Sequence, residues 1–432
     1  MIFNSHRHLN LATATSLVIA SMIGTGVFTS LGYQLVDIRS VFTIIMLWVV
    51  GGLLSLFGAL SYSELAAALP RSGGEYYLLS RIIHPSIGFV AGVVSATVGF
   101  SAPAVLAAIA FANYISPLFP SINITITALI VILCVNVLHA TRLNTGKLFQ
   151  EWTTIFKMIL ILIFIIIGLF SVEHQPISIL PTLYDIDLIF SPEFAVNLVW
   201  VSYAYAGWNS SIYVVGEMVQ PEKNIFRSIC FGTFIVALLY VLLNFVFLYT
   251  SPMDQLIGKV EVGYFAGVNL FGDKYAAIVS LCIGLLLIST VSSYVYIGPR
   301  IIQAIGLDHH RLKIFSKTDS NNIPLNAFIL QFIISLVFVI TSTFEQVLLY
   351  TGIILIITST ITVISLFYLR YREPDLIRPY LAWGYPWTPL LFIILNSWVL
   401  YYTFKLQTFE SVVGLSLMVI SFGLFFIIKK EN

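Results

Sequence analysis

The sequence is poor in charged residues. Only 9% of its 432 residues are Asp, Glu, Lys or Arg, whereas 59% are hydrophobic. A soluble protein carries roughly 25% charged residues. A surface with so little charge is poorly solvated by water, and lipid is the solvent that accepts it. The scarcity of charge therefore argues against a soluble fold and predicts a membrane protein.

Other absences narrow the function. The net charge is +1 and no basic block is present, so neither a nucleic-acid partner nor an electrostatic lipid switch is indicated. The only cysteines, Cys134, Cys230 and Cys282, lie in apolar runs without zinc-ligand spacing, and we interpret them as small core residues. We expect no metal and no other cofactor. The short polar N-terminus lacks a signal-peptide cleavage site, so no cleaved segment is expected.

Long apolar runs dominate what is present. About 20 apolar residues cross a bilayer, and prolines, glycines and charges divide the chain into twelve runs near this length. The pattern predicts an all-α polytopic protein with a single transmembrane domain over residues 1–432. The runs are 11–31, 41–69, 87–118, 122–138, 148–170, 194–219, 225–250, 275–305, 325–341, 346–369, 387–404 and 412–428.

The distribution of Lys and Arg predicts the orientation, because cytoplasmic loops are enriched in both. With the N-terminus inside, sixteen of the 21 lie on the cytoplasmic side and four outside, and Lys157 lies within the fifth run. We therefore expect both termini in the cytoplasm and the protein in the cytoplasmic membrane. The inner set is Arg7, Arg71, Arg81, Arg142, Lys147, Lys223, Arg227, Arg300, Arg311, Lys313, Lys317, Arg370, Arg372, Arg378, Lys429 and Lys430, and the outer set is Arg39, Lys259, Lys274 and Lys405.

Two runs contain residues that interrupt a membrane helix. Gly24-Thr25-Gly26 in the first run and Ala206-Gly207 in the sixth both lie about 13 residues from the start of their run, roughly 20 Å deep. Taken alone, small residues also indicate a close helix-packing face. Two breaks five spans apart predict an inverted repeat, with broken first and sixth helices at the substrate site. The repeats would cover about 11–170 and 192–369, followed by two helices over about 387–428.

Broken helices expose backbone groups that lipid does not tolerate, so these groups must line a cavity and bind something. Free amides at a helix N-terminus favour an anion, and free carbonyls favour a cation. An α-amino acid zwitterion carries both charges on neighbouring groups. The breaks therefore predict a carrier of amino acids that works by alternating access.

Several segments carry a family resemblance that spans nearly the whole chain. In their order and spacing they resemble the amino acid–polyamine–organocation superfamily, and within it the bacterial L-type amino-acid transporters. The segments are Ile23-Gly24-Thr25-Gly26-Val27-Phe28, Tyr62-Ser63-Glu64-Leu65, Pro70-Arg71-Ser72-Gly73-Gly74-Glu75-Tyr76, Ala204-Tyr205-Ala206-Gly207-Trp208-Asn209, Glu217-Met218 and Pro221-Glu222-Lys223-Asn224.

The resemblance implies roles for individual residues. The amides of Thr25 and Gly26 would bind the substrate carboxylate, so a side chain at Gly26 is expected to intrude on the substrate. The carbonyls of Met22, Tyr203 and Ala206 would bind the ammonium. Tyr203 replaces a phenylalanine usual in the family, and Ala206 replaces a glycine or aspartate. The expected substrate-binding set is Met22, Ile23, Gly24, Thr25, Gly26, Tyr203, Ala206, Gly207 and Asn209.

Lys157 is the only basic residue deep within a run. A lysine near the bilayer middle costs about 2.5–3.5 kcal/mol, so we expect it to be paired inside the protein, with snorkelling as the alternative. The expected partners are carbonyls near the first break and the hydroxyls of Ser289, Ser292 and Ser293. The segment Thr153-Thr154-Ile155-Phe156-Lys157 resembles the family segment whose lysine amine occupies the place of a sodium ion, which implies transport without sodium.

Four further positions receive an interpretation. Glu64, near the cytoplasmic end of the second run, is expected to form an interfacial ion pair, with a substrate role as the alternative. Tyr240 and Asn244, one helical turn apart, indicate a polar contact between helices, and the resemblance favours a supporting role for Tyr240 near the first break. Trp208 is interpreted as a packing residue or a gate. Gly216 replaces the first glutamate of a pair common in the family, with a consequence left open.

Rival functions find little support in the sequence. A membrane-embedded enzyme would need an aspartate pair, a zinc motif or a Ser/Lys dyad, for which Lys157 with a span serine is the only candidate. A channel would not need two paired breaks. No histidine lies deep in a run, which disfavours a histidine proton relay, although proton-coupled uptake and exchange both remain open. The histidines are His6, His8, His84, His139, His174, His309 and His310.

The sequence favours neutral substrates, because the predicted pocket contains no carboxylate. Animal members of the family form disulfide-linked heterodimers through a cysteine after the third span. The corresponding loop, 117–123, contains no cysteine. We therefore expect membrane lipid and an amino acid as the only partners, with no covalent heavy chain.

The predicted topology can be tested with single cysteines. An impermeant thiol reagent added outside should label cysteines at Asn123 and His174, because both positions lie in predicted outer loops. Cysteines at Asn144 and Asn321 should be protected until the membrane is permeabilised. Labelling of the Asn321 position from outside would overturn the orientation.

Overall fold

The computed structural model describes the backbone of residues 9–141, 146–171, 174–319 and 323–429, and the side chains of these except residues 146–153 and 429. The regular elements in these ranges are helices, and a single isolated bridge joins Leu9 to Met218. The basic residues Arg7, Arg142 and Lys430 and the probe positions Asn144 and Asn321 lie outside the described residues, as do His6 and His8.

A helix, broken or continuous, corresponds to each of the twelve predicted runs, which confirms the all-α fold. Their bounds are Leu11–Met22 and Gly26–Asp37 in the first span, Val41–Ala68 in the second, Pro85–Val94, Ser95–Ser101 and Ala102–Ile115 in the third, Ile124–Thr141 in the fourth, Gly146–Leu169 in the fifth, Pro192–Tyr205 and Ser210–Glu217 in the sixth, Pro221–Thr250 in the seventh, Asp273–Asp308 in the eighth, Leu325–Thr341 in the ninth, Phe344–Arg372 in the tenth, Trp387–Leu406 in the eleventh and Thr408–Lys429 in the twelfth.

Length and composition support a membrane fold independently. Among the described residues, nine helices are long and apolar enough to cross a bilayer. In the fifth span, the part whose side chains are described, Thr154–Leu169, is apolar, the ninth span is the shorter apolar helix Leu325–Thr341, and the sixth span is divided by its break. The protein is therefore an integral membrane protein.

Shorter helices connect the spans. Gly74–Ile82, which we call the linking helix, joins the second span to the third. Leu183–Ile189 precedes the sixth span, and Met253–Leu256 and Val262–Phe271 precede the eighth. The 3₁₀-helix His310–Ser316 follows the eighth span.

Polar side chains fix where spans begin. Ser40 and Ser191 each accept a backbone N–H in the first turn of the second and sixth spans, and Thr343 forms a capping box at the tenth. Such caps satisfy amides that the helix itself leaves free. The third span contains a π-helical segment, Ser95–Ser101, which the sequence did not predict and which is common near functional sites.

Small residues allow the central spans to pack closely. A Cβ at Gly232 of the seventh span would lie 2.7 Å from Val18 of the first, and one at Gly352 of the tenth would lie 2.5 Å from Val199 of the sixth. Close contact of this kind stabilises helix pairs in lipid, where no hydrophobic effect drives them together. The first and sixth spans are therefore held in the middle of the protein.

The interpretation of Cys134 as a core residue is wrong. Cys134 is exposed on the fourth span, whereas a core position was expected. An apolar residue on a membrane helix is equally compatible with the lipid-facing side, so the apolar run alone could not assign its direction. Cys230 and Cys282 are half-buried.

Glu64 forms the expected ion pair. Its carboxylate, 1% exposed, accepts from Arg370 Nε at 2.8 Å and Arg370 Nη2 at 2.6 Å, and Arg378 Nε lies 3.6 Å away. The backbone N–H of Ala382 donates to the same carboxylate at 2.6 Å. The cluster fastens the end of the second span to the tenth span and to the segment after it.

Replacing Glu64 by Gln should lower the thermal stability of the purified protein. Removing one partner of a buried ion pair costs about 3–5 kcal/mol, and the partial exposure of Arg370 places the expected cost at the lower end. Glu373→Gln is the matched control, because it removes an exposed pair with Arg81 and should have little effect. Equal melting temperatures for the two variants in detergent would contradict the assignment.

Candidate functional site

The first break separates two helices in the middle of the first span. One helix ends at Met22 and the next begins at Gly26, with Ile23, Gly24 and Thr25 between them. In the described part of the chain, the amide N–H groups of Thr25 and Gly26 have no hydrogen-bond acceptor. They also lie at the N-terminus of a helix, where an anion is favoured. The two amides that the resemblance assigns to the substrate carboxylate are thus without an acceptor among the described residues.

The second break faces the first. The sixth span leaves its helix after Tyr205, and Gly207 has a φ of +99°, which favours glycine. A Cβ at Gly207 would lie 2.7 Å from the carbonyl carbon and oxygen of Ser21, at the end of the first half-helix. The structure therefore brings together the two breaks that the sequence paired.

Three tyrosine hydroxyls form hydrogen bonds at the first break. Tyr240 donates to the Met22 carbonyl at 2.6 Å, which confirms its contact with the first break. Tyr294 donates to the Ser21 carbonyl at 3.3 Å. The hydroxyl of Tyr203 lies 2.8 Å from Thr25 Oγ1, so the added oxygen at this position ties the two broken spans together.

The carbonyls expected to bind the ammonium are partly occupied. Met22 accepts from Tyr240, and the Tyr203 carbonyl accepts from the N–H of Ala206 at 2.9 Å. A carbonyl oxygen has two lone pairs, so each retains one for a ligand. For the Ala206 carbonyl, no donor is found among the described residues.

Lys157 reaches the first break. Its ammonium, on a side chain 1% exposed, donates to the Ile23 carbonyl at 3.1 Å and to Thr290 Oγ1 at 3.0 Å. The expected pairing with a freed carbonyl is therefore found, and the snorkelling alternative is wrong. The ammonium holds a carbonyl that the broken helix leaves without its own partner.

The hydroxyl partners expected for Lys157 were wrong. Ser292 instead lies 2.7 Å from His139 Nε2, and Ser293 donates to the Ser289 carbonyl at 2.9 Å. The Ser289 hydroxyl has no partner among the described residues. Thr290 is adjacent in sequence, and the rotation of about 100° per residue in a helix turns its hydroxyl, rather than those of the serines, toward Lys157.

A cavity of about 1930 Å³ reaches the breaks from one end of the spans. Ser21 and Tyr294 line it together with Ala206, Gly207 and Asn209, whereas the other expected residues, from Met22 to Gly26 and Tyr203, are buried behind this surface. Its mouth carries Arg71, Arg81, Arg300 and Asp308, which belong to the end predicted to be cytoplasmic. We call it the open cavity.

Aromatic rings close the opposite end. Tyr33 of the first span stacks on Trp200 of the sixth with ring centroids 4.5 Å apart, and Phe344 of the tenth span lies 6.0 Å from Tyr33. Sequence analysis missed this stack because the three residues lie far apart in the chain. The structure is therefore open at one end of the spans and closed at the other.

Three other residues singled out in the sequence contact neighbouring elements. Trp208 packs edge-on against Tyr62 of the second span, with centroids 4.7 Å apart, and also lines the open cavity. Asn209 donates to Glu75 of the linking helix at 3.1 Å. Gly216 donates its N–H to Ser72 Oγ at 3.1 Å, and a Cβ there would lie 2.9 Å from that oxygen, so the glycine allows the loop to pack closely.

Sequence comparisons agree with this geometry. The family described as amino acid permease matches residues 9–428. The chain belongs to this family. The large neutral amino acids transporter small subunit 2 of Homo sapiens is 25% identical over 96% of this chain and 79% of its own length. The cystine/glutamate transporter of Homo sapiens is 27% identical over 87% and 76%. The b(0,+)-type amino acid transporter 1 of Mus musculus is 24% identical over 86% and 78%.

Membership in the permease family confirms the superfamily resemblance and identifies the protein as an amino-acid transporter rather than an enzyme. The identities are too low to transfer a substrate. The relatives' names differ in this respect, since one specifies large neutral amino acids and another specifies cystine and glutamate.

The glycines of the first break should respond differently to alanine. A Cβ at Gly26 would overlap the backbone of Ala204, with Ala204 Cβ only 2.5 Å away, whereas one at Gly24 would lie 3.3 Å from a methyl group of Thr290. A side chain at Gly26 would therefore meet the sixth span directly. Gly26→Ala should lower thermal stability strongly, and Gly24→Ala should remain folded.

Melting curves of the two purified variants decide this point. If Gly26→Ala is as stable as the wild type, the close packing of the broken spans is not required for stability.

Proposed function

We propose that the protein transports neutral L-amino acids without sodium, by alternating access and as an exchanger. The contact between the Lys157 ammonium and the Ile23 carbonyl carries this proposal. A fixed positive charge beside the first break supplies what a bound cation would otherwise supply. The free amides of Thr25 and Gly26 then bind the substrate carboxylate, and carbonyls at the second break bind its ammonium.

Uncharged surroundings support neutral substrates. Near the breaks, the open cavity is lined by Gly51, Ser202 and Ala206 together with Ser21 and Tyr294, none of which carries a charge. A charged substrate side chain would lose its hydration there without gaining a partner. The charged residues of the cavity lie at its mouth and on the linking helix.

Alternating access follows from the two ends of the site. The open cavity gives one side a path to the breaks, while the stack of Tyr33 on Trp200 blocks the other. These rings lie on the outer halves of the first and sixth spans, so a movement of either half would separate them. Charge distribution assigns the open side to the cytoplasm, with both termini on that side.

Exchange follows from the cost of an empty site. When no substrate is bound, the Thr25 and Gly26 amides have no acceptor within the described chain, and both residues are buried behind the surface of the open cavity. Unsatisfied backbone groups in a dry membrane interior cost several kcal/mol. The loaded carrier should therefore reorient faster than the empty one. Proton-coupled uptake is the alternative.

The carrier is proposed to work without a covalent partner. The segment between the third and fourth spans has no cysteine. Cys134 lies within the fourth span rather than in this segment. The purified chain alone should exchange radiolabelled neutral amino acids in proteoliposomes, and a competition panel would rank the side chains. Activity that appears only after a second subunit is added would contradict this part of the proposal.

Replacing Lys157 by Ala should abolish substrate binding. The change removes the charge that holds the Ile23 carbonyl and leaves the first break without that partner. Wild-type exchange should be equal in sodium and in choline buffer. Lys405→Ala is the matched control. This lysine is exposed at the end of the eleventh span, so its replacement should leave substrate binding unchanged. Size-exclusion profiles should show that both variants remain monodisperse.

Two results would overturn the proposal. One is exchange by the wild type that rises steeply with sodium. The other is a folded Lys157→Ala variant with normal affinity and rate.

A further inference from the structure

A buried carboxylate lies beside the transport path and has no part in the substrate site proposed above. Glu75, in the first turn of the linking helix, is 4% exposed and is among the residues that line the open cavity. Its Oε1 accepts from the hydroxyl of Tyr62 at 2.6 Å and from Asn209 Nδ2 at 3.1 Å. Its other oxygen, Oε2, accepts no hydrogen bond from the described residues. This oxygen is not fully buried.

No cation compensates this carboxylate within the described part of the chain. The nearest basic residues in sequence are engaged elsewhere. Arg71 lies over the ring of Tyr77, 5.0 Å from its centroid, and Arg81 pairs with Glu373 at 2.8 Å. A buried carboxylate is ordinarily paired with a charge or coordinated to a metal.

The titratable groups that face Glu75 are tyrosines and not bases. They are Tyr62 from the second span and Tyr213 from the sixth. On the second span, Glu64 is paired with Arg370, and the tenth span presents the neutral hydroxyl of Thr362 to Tyr62. The two hydrogen bonds and the helix N-terminus favour the charged form. Burial opposes them and raises the pKa of Glu75 above its usual range.

Glu75 is also bonded to the second half of the sixth span. Asn209 follows the break of the sixth span, and the loop before Glu75 bonds to Gly216 through Ser72 at 3.1 Å. Gly74 packs directly against the ring of Tyr213. A change in the charge of Glu75 therefore acts on the contact between the linking helix and the second half of the sixth span.

We propose that Glu75 is a proton-binding site whose occupancy is coupled to closure of the open cavity. A hydronium ion in the open cavity gives up its proton and becomes water, and the proton forms the O–H bond at Oε2. The hydrogen bonds of Tyr62 and Asn209 to Oε1 therefore remain. Closure removes the water that solvates the charged form, and the closed state therefore binds the proton more tightly. Acid on the cavity side favours closure, and raising the pH favours the open state. This inference rests on the alternating access proposed above, and the proton returns to the side from which it came.

Infrared titration of the purified protein in nanodiscs tests the site without any transported substrate. The wild type should show the C=O band of a protonated carboxyl group that disappears as pH rises. Glu75→Gln should lack this band. Asp308→Asn is the matched control, since Asp308 accepts from Tyr76 at 2.8 Å and lines the same cavity but is exposed, and it should retain the band.

Tyr62→Phe provides a second variant in case Glu75→Gln does not fold. It removes a donor to the charged form and should move the titration of the band to higher pH. An unchanged titration in Tyr62→Phe, or the same band in Glu75→Gln, would overturn the proposal.

Counterflow in proteoliposomes, with equal pH on both sides, tests the coupling. The rate of the wild type should change with pH across the range in which the band titrates, and Glu75→Gln should lose this dependence. A purely structural role for Glu75 would leave the pH dependence intact in the variant and would overturn the coupling. If the band titrates but no neutral amino acid is exchanged, the proposed function fails while the proton site stands.

Discussion

Backbone polar groups without partners constrain the middle of this protein, because two helices stop within the membrane. A continuous helix would satisfy every N–H and C=O group by itself, as lipid requires. Between Met22 and Gly26, and after Tyr205, the helical hydrogen bonding is interrupted. The surrounding structure then has to supply partners, and the backbone groups that it leaves without partners are the ones we propose to bind the substrate. The free amides of Thr25 and Gly26 are that remainder.

The partners that are supplied come from several spans. The hydroxyls of Tyr240 and Tyr294 and the ammonium of Lys157 take three successive carbonyls, those of Met22, Ser21 and Ile23. The break is thereby held in a fixed shape, which reduces the ordering cost that a ligand would otherwise meet on binding. These carbonyls have donors, whereas the Thr25 and Gly26 amides have no acceptor among the described residues. The first break therefore favours an anion such as a carboxylate.

Sequence reasoning predicted the breaks and their pairing well, since glycine in a membrane helix has a direct physical cost and its depth can be counted. It also placed Lys157 at the first break, because a buried charge must find a partner. It could not choose Thr290 over the neighbouring serines, since that choice depends on the rotation of the eighth span. Nor could it show that a side chain at Gly26 would meet the backbone of Ala204, because Ala204 lies 178 residues away in the chain. The stack of Tyr33 on Trp200 and the burial of Glu75 likewise depend on tertiary packing.

A structure of the protein with a bound neutral amino acid, determined in sodium-free buffer, tests the central claim most directly. We expect the substrate carboxylate within hydrogen-bond distance of the Thr25 and Gly26 amides, with the Lys157 ammonium still on the Ile23 carbonyl. A substrate bound away from the first break, or one whose carboxylate is held by the Lys157 ammonium instead of the amides, would contradict it.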